Sequence, residues 1–283
     1  MKKKWYKSKV FVITGASGDI GSAACRKFAP LGMRMYLLDL PNPKIDSLKQ
    51  DLKDLGAELV EFYEMDVTNQ DQIRNAINKI GEKEKYIDIL FNNAGIGSKC
   101  SITNNGTFEE YRKVMSINTD GMWLVLQAAL PFIGRPTQIK KTVNKKIGQL
   151  IFTSSAAGRT GVPNMAAYAM SKSAVIALAD SLRSEYKMLK EMINVITIIS
   201  APAKTRFYNT PETIEWIENY EKRGFLFKLL EAEDIARRVF NASRKNKKEI
   251  YVPRWWKLID ILFVFSHNLI GNLLIKIEKT NRD

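Results

Sequence analysis

Tyr168 and Lys172, four residues apart in Tyr168-Ala169-Met170-Ser171-Lys172, have the types and the spacing to move a proton. On a helix, residues four apart share a face about one turn apart, so phenol and ammonium can enter one cleft. The cation there favours the phenolate, and the phenol proton becomes exchangeable with an alcohol or a carbonyl. Bringing a Tyr from ~10 to neutrality is a drop of about 3 units, roughly 4 kcal/mol. A cation at ~4 Å in an effective dielectric of ~20 supplies a comparable amount. The same spacing arises by chance on amphipathic helices whose side chains lie in water, so the surroundings must decide.

Composition narrows the chemistry. The 283 residues, 45% hydrophobic and 26% charged, allow one large domain or two small ones with a sizeable core. The single histidine, His267, excludes a His-rich metal site or a Ser-His-Asp triad elsewhere in the chain, and no metal is expected. Cys25 and Cys100 lack metal-ligand spacing and read as reduced thiols of an intracellular protein. Acid/base work therefore falls to groups such as Tyr and Lys. The net charge of +14 asks for an anionic partner, nucleic acid or a membrane surface being the usual ones. No nucleic-acid reading module is present, which leaves the membrane surface. The basic start Lys2-Lys3-Lys4 precedes an apolar run, Val10 to Ile13, that is too short for a signal peptide.

The elements that must position the pair are legible as an alternation. Lys9 to Thr14 reads as a strand delivering the chain into Thr14-Gly15-Ala16-Ser17-Gly18-Asp19-Ile20-Gly21. A glycine-rich turn between strand and helix lets backbone N–H groups approach a pyrophosphate at a helix N-terminus. The next strand, Met33 to Leu38, ends in Asp39, a carboxylate placed to accept hydrogen bonds from an adenosine ribose and to repel a 2′-phosphate. With no Lys or Arg immediately beside Asp39 or inside the turn, NAD is expected, with NADP as the alternative. A strand at Glu58 to Glu64 leads to Asp66 and Val67, and a strand at Ile87 to Phe91 opens into Asn92-Asn93-Ala94-Gly95.

A helix follows from about Phe108 to Leu130, carrying Asn118, whose plainest reading is a bent or solvent-facing position. Gly134 to Gln149 reads as a basic, solvated loop, and Gln149 to Thr153 as a strand ending in Ser154-Ser155. Beyond the Tyr168 helix, a strand at Ile193 to Ile199 runs into Pro202-Ala203-Lys204-Thr205. Every motif falls at the carboxyl end of a strand. The expected fold is α/β: a Rossmann-type, doubly wound parallel sheet of about seven strands with helices on both faces.

These motifs together resemble the short-chain dehydrogenase/reductase family, over about Lys9 to Val252. The resemblance implies reversible hydride transfer between a nicotinamide and a secondary alcohol or ketone. It assigns cofactor contacts to Gly15, Ser17, Gly18, Asp19, Ile20, Gly21, Asp39, Asp66, Val67, Asn92, Ala94, Gly95, Pro202 and Thr205, with Tyr168 and Lys172 on the nicotinamide ribose. It makes Asn118, Ser155, Tyr168 and Lys172 the catalytic four. Tyr168 is then general acid or base, Ser155 a donor to the substrate oxygen, Lys172 the group that lowers the Tyr168 pKa, and Asn118 the anchor of a proton-relay water. Asp19 stands where the family's middle glycine is usual, and Ala203 where the usual partner of Pro202 is Gly. Alternatives are an NADP-linked 3-oxoacyl reductase and a non-catalytic NAD-binding scaffold. Homo-dimers or homo-tetramers are also implied.

The chain is expected to form one oxidoreductase domain over 1–252, with an aromatic lid at about 203–230, and an extension over 253–283. That extension sets Trp255-Trp256 beside Arg254 and Lys257, then Leu258, Ile261, Leu262, Phe265, Leu269 and Leu273 at helical spacing. Polar interruptions make it too short to span a bilayer. An interfacial helix on anionic lipid over residues 254–276 is favoured against packing on the domain itself or on a second subunit. The expected location is cytoplasmic and peripheral on the membrane, with an apolar small-molecule substrate and no nucleic acid.

Overall fold

Val10–Thr14 (β1) is a continuous apolar run with all five residues buried, as expected of a strand covered on both faces. In the computed structural model, which describes residues 5–98, 102–103, 106–139, 142–206 and 228–266, β1 lies inside the main sheet, with strands on both sides. The strand order is β3 (Leu59–Glu64), β2 (Arg34–Asp39), β1, β4 (Ile89–Asn92), β6 (Thr142–Ser155), β7 (Met192–Ser200) and β10 (Glu249–Val252). Each neighbouring pair along this path is parallel. The seven-strand, doubly wound sheet expected from the alternation is therefore what forms.

Side chains of the central strands alternate between two cores. Phe11 and Ile13 of β1, with Met35 and Leu37 of β2, join α1 (Asp19–Phe28), α2 (Lys44–Asp54) and α7 (Ala232–Arg244). Val10, Val12, Tyr36 and Leu38 pack on the opposite face against α3 (Gln70–Glu84), α5 (Gly121–Ala129) and α6 (Ala166–Met188). The period of two makes both faces apolar, so the sheet is buried between helical layers. The stripe Val175, Ala179, Leu182 and Tyr186 docks α6 along the sheet, and Tyr168 and Lys172 at its amino end are carried to the strand ends.

Two expectations are corrected. The basic segment Gly134 to Gln149 is not a loop. Arg135–Ile139 (β5) pairs antiparallel with the first part of β6, Arg135 opposite Ile147. Thr, Val and Ile in this segment favour a pleated strand. Its root is fixed by Asp88, a fully buried carboxylate at the amino end of β4 that takes Arg135 Nε at 2.8 Å and Lys9 Nζ at 3.0 Å. Second, the helix expected over 108–130 is broken by a π-helical turn at Ser116–Asp120 between α4 (Phe108–Met115) and α5. The wide turn rotates Asn118 inward, where it is fully buried rather than solvent-facing.

Past β7, Ala203–Lys204 (β8) and Leu230–Glu231 (β9) form a small parallel pair leading into α7. Residues 207–227, the greater part of the expected lid, lie outside the described residues, as do Cys100 and residues 267–283 with Leu269 and Leu273. Trp256–Phe265 forms α8. Among the described residues no helix is long and apolar enough to cross a membrane.

Candidate active site

The chain leaves β1 to build β2 and β3 on one side, then crosses back to place β4 on the other. A crevice at the carboxyl ends of the strands opens where this order reverses, and it is the standard ligand position in such sheets. The glycine turn occupies it. Gly15 has φ +64°, a left-handed conformation that other residues resist. A Cβ on Gly21 would stand 2.1 Å from the Gly15 carbonyl oxygen, so only glycine lets α1 start against the turn.

The turn is tied to its neighbours by side chains. Asp39 at the end of β2 accepts from Ser17 N and Ser17 Oγ, both at 2.7 Å, and from Leu40 N at 2.8 Å. Asn93 donates to the carbonyl oxygens of Thr14 at 3.3 Å and Gly15 at 3.2 Å and accepts from Thr153 Oγ1 at 3.1 Å, linking β1, β4 and β6. Thr14 Oγ1 accepts from Asn93 N and Ala94 N, both at 3.0 Å. Asn92, assigned to the cofactor from the sequence, is buried and donates to the Met122 carbonyl at 3.1 Å, so it holds α5 while Asn93 holds the turn. Asp66 organises its own turn, accepting from Thr68 N and Oγ1 at 2.8 Å, and Val67 presses its carbonyl against Gly121. Ile20 packs on the α1-side core, and Pro202 accepts from Leu230 N at 3.1 Å. Thr205 turns back on Ala203 O at 3.4 Å.

The four residues to which the resemblance assigns catalysis converge across the crevice from three elements. The Tyr168 hydroxyl hydrogen-bonds Ser155, whose Oγ also accepts from Ala157 N at 3.2 Å. Lys172 is 3% exposed, donates from Nζ to Thr153 O at 3.2 Å and lies 5.6 Å from the Tyr168 ring centroid. Asn118 accepts from Ile96 N at 2.8 Å and donates to Ile96 O at 2.9 Å and Ser171 Oγ at 3.1 Å. A Cβ on Gly95 would lie 3.0 Å from Asn118 Oδ1 and 3.2 Å from Lys172 Nζ, so these two groups meet across that glycine.

Electrostatics reverse one expectation. Burial pushes the Tyr168 phenol up to about 12, opposed only by the Ser155 hydrogen bond, and lowers the Lys172 ammonium to about 8. Desolvation penalises both charged forms, and the Lys172 cation is not among the influences that bring Tyr168 down. The resting site is a neutral phenol beside a strained ammonium.

One contact had no signal in the sequence. Arg206, just after Thr205, donates from its backbone N to Asp19 Oδ2 at 2.7 Å and from Nε to Oδ1 at 3.1 Å. Its Nη2 donates to the Ser17 carbonyl at 2.7 Å. Charge pairs 187 residues apart leave no local pattern.

The residues present suit a dinucleotide: turn amides and a helix N-terminus for phosphates, the Asp39 carboxylate for ribose hydroxyls, and the Lys172 ammonium for the second ribose. Fold and site together define a nicotinamide-type oxidoreductase. Residues 9–213 match the short chain dehydrogenase family, and the chain belongs to it. It is 30% identical over 205 residues to 3-oxoacyl-[acyl-carrier-protein] reductase FabG of Thermotoga maritima, covering 72% of this chain and 76% of that one. It is 25% identical over 262 residues to 17-beta-hydroxysteroid dehydrogenase 13 of Mus musculus, covering 92% and 79%. A short-chain dehydrogenase/reductase from Burkholderia phymatum, solved in complex with NAD, superposes with a TM-score of 0.79 at 22% identity, over 95% of this chain and 96% of that one.

The C-terminal helix abuts the same region. Trp256 packs on Ala156, Ile176, Ile199 and Tyr251, just behind Ser155. Asp260 takes the Tyr251 hydroxyl and lies 3.4 Å from Arg159 Nε. The outer face leaves Leu258 62%, Ile261 44% and Leu262 48% exposed. One side of α8 thus packs on its own domain, as the alternative reading of the extension had it, and the other stays open.

Proposed function

We propose that the protein is an NAD(H)-dependent oxidoreductase interconverting a secondary alcohol and its ketone, with an apolar, lipid-like substrate. The observation that carries this reading is the Ser155–Tyr168 hydroxyl pair beside buried Lys172 in the crevice that also holds the glycine turn. A bound nicotinamide supplies or accepts the hydride. Tyr168, protonated at neutral pH, donates its proton to a carbonyl oxygen in reduction and accepts one back in oxidation. Ser155 donates a hydrogen bond to the same oxygen and stabilises its developing negative charge. Lys172 would hold ribose hydroxyls; Asn118, across Gly95, keeps Ile96 and Ser171 in place and would anchor a relay water behind Lys172. Asp39, fixed by Ser17, favours NAD by repelling a 2′-phosphate.

The test is NADH- and NADPH-linked activity on alcohols and ketones graded by chain length and ring size, with Tyr168→Phe alongside. Loss of about 100-fold or more in turnover is expected, the contribution usual for a general acid, with NADH binding nearly intact. Turnover retained by Tyr168→Phe rejects the assignment. The second reading, an NADP-linked 3-oxoacyl reductase, is favoured by the FabG similarity. A wild type preferring NADPH and 3-oxoacyl thioesters selects it. A non-catalytic scaffold is disfavoured because all four catalytic groups are present. The outer face of α8, with Arg254 and Lys257 beside it, supports peripheral binding to anionic lipid. Exposed Trp123 on α5 and Met170 on α6 support assembly into a homo-dimer or homo-tetramer.

A further inference from the structure

We propose that Arg206 is a pyrophosphate-binding residue of the dinucleotide site and that it compensates the carboxylate of Asp19. The proposal rests on the dinucleotide reading above and deepens it. Asp19 is the first residue of α1, where the turn's backbone amides and the helix dipole attract an anion. A carboxylate at that point opposes the attraction, and it replaces the glycine that the family resemblance leads one to expect. Arg206 removes the conflict: its backbone N–H and its guanidinium both engage Asp19, and Nη2 reaches the Ser17 carbonyl.

The guanidinium is not consumed by these contacts. Nε and one Nη2 hydrogen account for two of its five N–H donors, and among the described residues the remaining three have no acceptor. The side chain is 45% exposed and borders an open groove of about 530 Å³ between α1, α2 and the β8–β9 pair. A planar cation with free paired donors, fixed at the mouth of a phosphate cradle, has the geometry to bind a phosphate oxygen pair. The pair therefore does what glycine does elsewhere: it leaves the turn net attractive to phosphate.

The experiment titrates full-length protein with NADH, followed by nicotinamide fluorescence, and with ADP-ribose and adenosine by calorimetry. Arg206→Gln is expected to weaken NADH and ADP-ribose about tenfold and to leave adenosine, which has no phosphate, unchanged. Asp19→Gly combined with Arg206→Gln is expected to recover most of that loss, because the uncompensated carboxylate is gone. Matching thermal melts establish that the variants are folded. ADP-ribose affinity that is unchanged or raised in Arg206→Gln overturns the proposal, the latter by identifying Arg206 as a plug. A double variant as weak as the single also overturns it, since a role in structure alone is not rescued at Asp19. In either case wild-type NADH binding leaves the dinucleotide reading standing, whereas a wild type that binds neither NADH nor ADP-ribose overturns both.

Discussion

Replacing Lys172 with Met removes a buried charge that the fold carries at a cost, and the size of that cost is readable from its titration. The ammonium falls from 10.5 to about 8 solely through burial. A shift of about 2.5 units corresponds to roughly 3 kcal/mol, and at 3% exposure solvent offers no screening to discount. Because the folded pKa is the lower one, the unfolded chain binds more protons between about pH 8 and 10.5, and wild-type stability rises with pH across that window. Below about pH 8 the full penalty is present, and above 10.5 it has vanished. The variant also loses the hydrogen bond to Thr153 O and gains a thioether in a polar cleft, but those changes do not depend on pH. The assay is urea unfolding of wild type and Lys172→Met at pH 6.5 and pH 10.5. The stability of the variant relative to wild type should be about 3 kcal/mol more favourable at the lower pH. A difference that does not move with pH refutes the claim that Lys172 is held in the folded protein against its desolvation.

Gly21→Ala places a methyl 2.1 Å from the Gly15 carbonyl oxygen, so the turn and α1 must separate. A loss of about 3 kcal/mol or more in chemical denaturation is expected, together with loss of NADH binding, and a wild-type-like midpoint contradicts the packing described. Asp39→Ala frees Ser17 N and Oγ and removes the charge facing a 2′-phosphate. The ratio of NADH to NADPH affinity should fall at least several-fold, and an unchanged ratio removes Asp39 from nucleotide selection. Changing Leu258, Ile261 and Leu262 together to Ser alters only the outward face of α8. Flotation with phosphatidylserine vesicles should be lost while NADH binding and the melting temperature persist, and undiminished flotation assigns membrane contact elsewhere.

Local periodicity carried most of the fold, while the candidate site came from motifs at the strand ends and from family resemblance. Apolar runs such as Val10–Thr14 and amphipathic helices are patterns over five to fifteen residues, which the backbone converts directly into strands and helices. Motifs at the ends of those strands converge because a parallel doubly wound sheet brings its carboxyl ends to one edge. The assignment of Tyr168, Lys172, Ser155 and Asn118 to one crevice followed from that geometry and from family resemblance. Composition misled in one place, where the lysines of 134–149 concealed a strand pair rooted on Asp88.

What only the tertiary structure decided are quantities that no window of sequence contains. The direction of the Tyr168 shift depends on how much water the whole fold removes, and burial outweighed the Ser155 hydrogen bond that opposes it. The inward turn of Asn118 depends on a π-helical step, the placing of Asn92 and Asn93 on which backbone each can reach, and the two faces of α8 on how it docks against Tyr251. The meeting of Asp19 with Arg206 joins opposite ends of the domain. Sequence determines where the elements form and which chemistry they bring, because those follow from short-range sterics and hydrophobic spacing. Desolvation and long-range pairing of charges exist only once the chain has closed on itself.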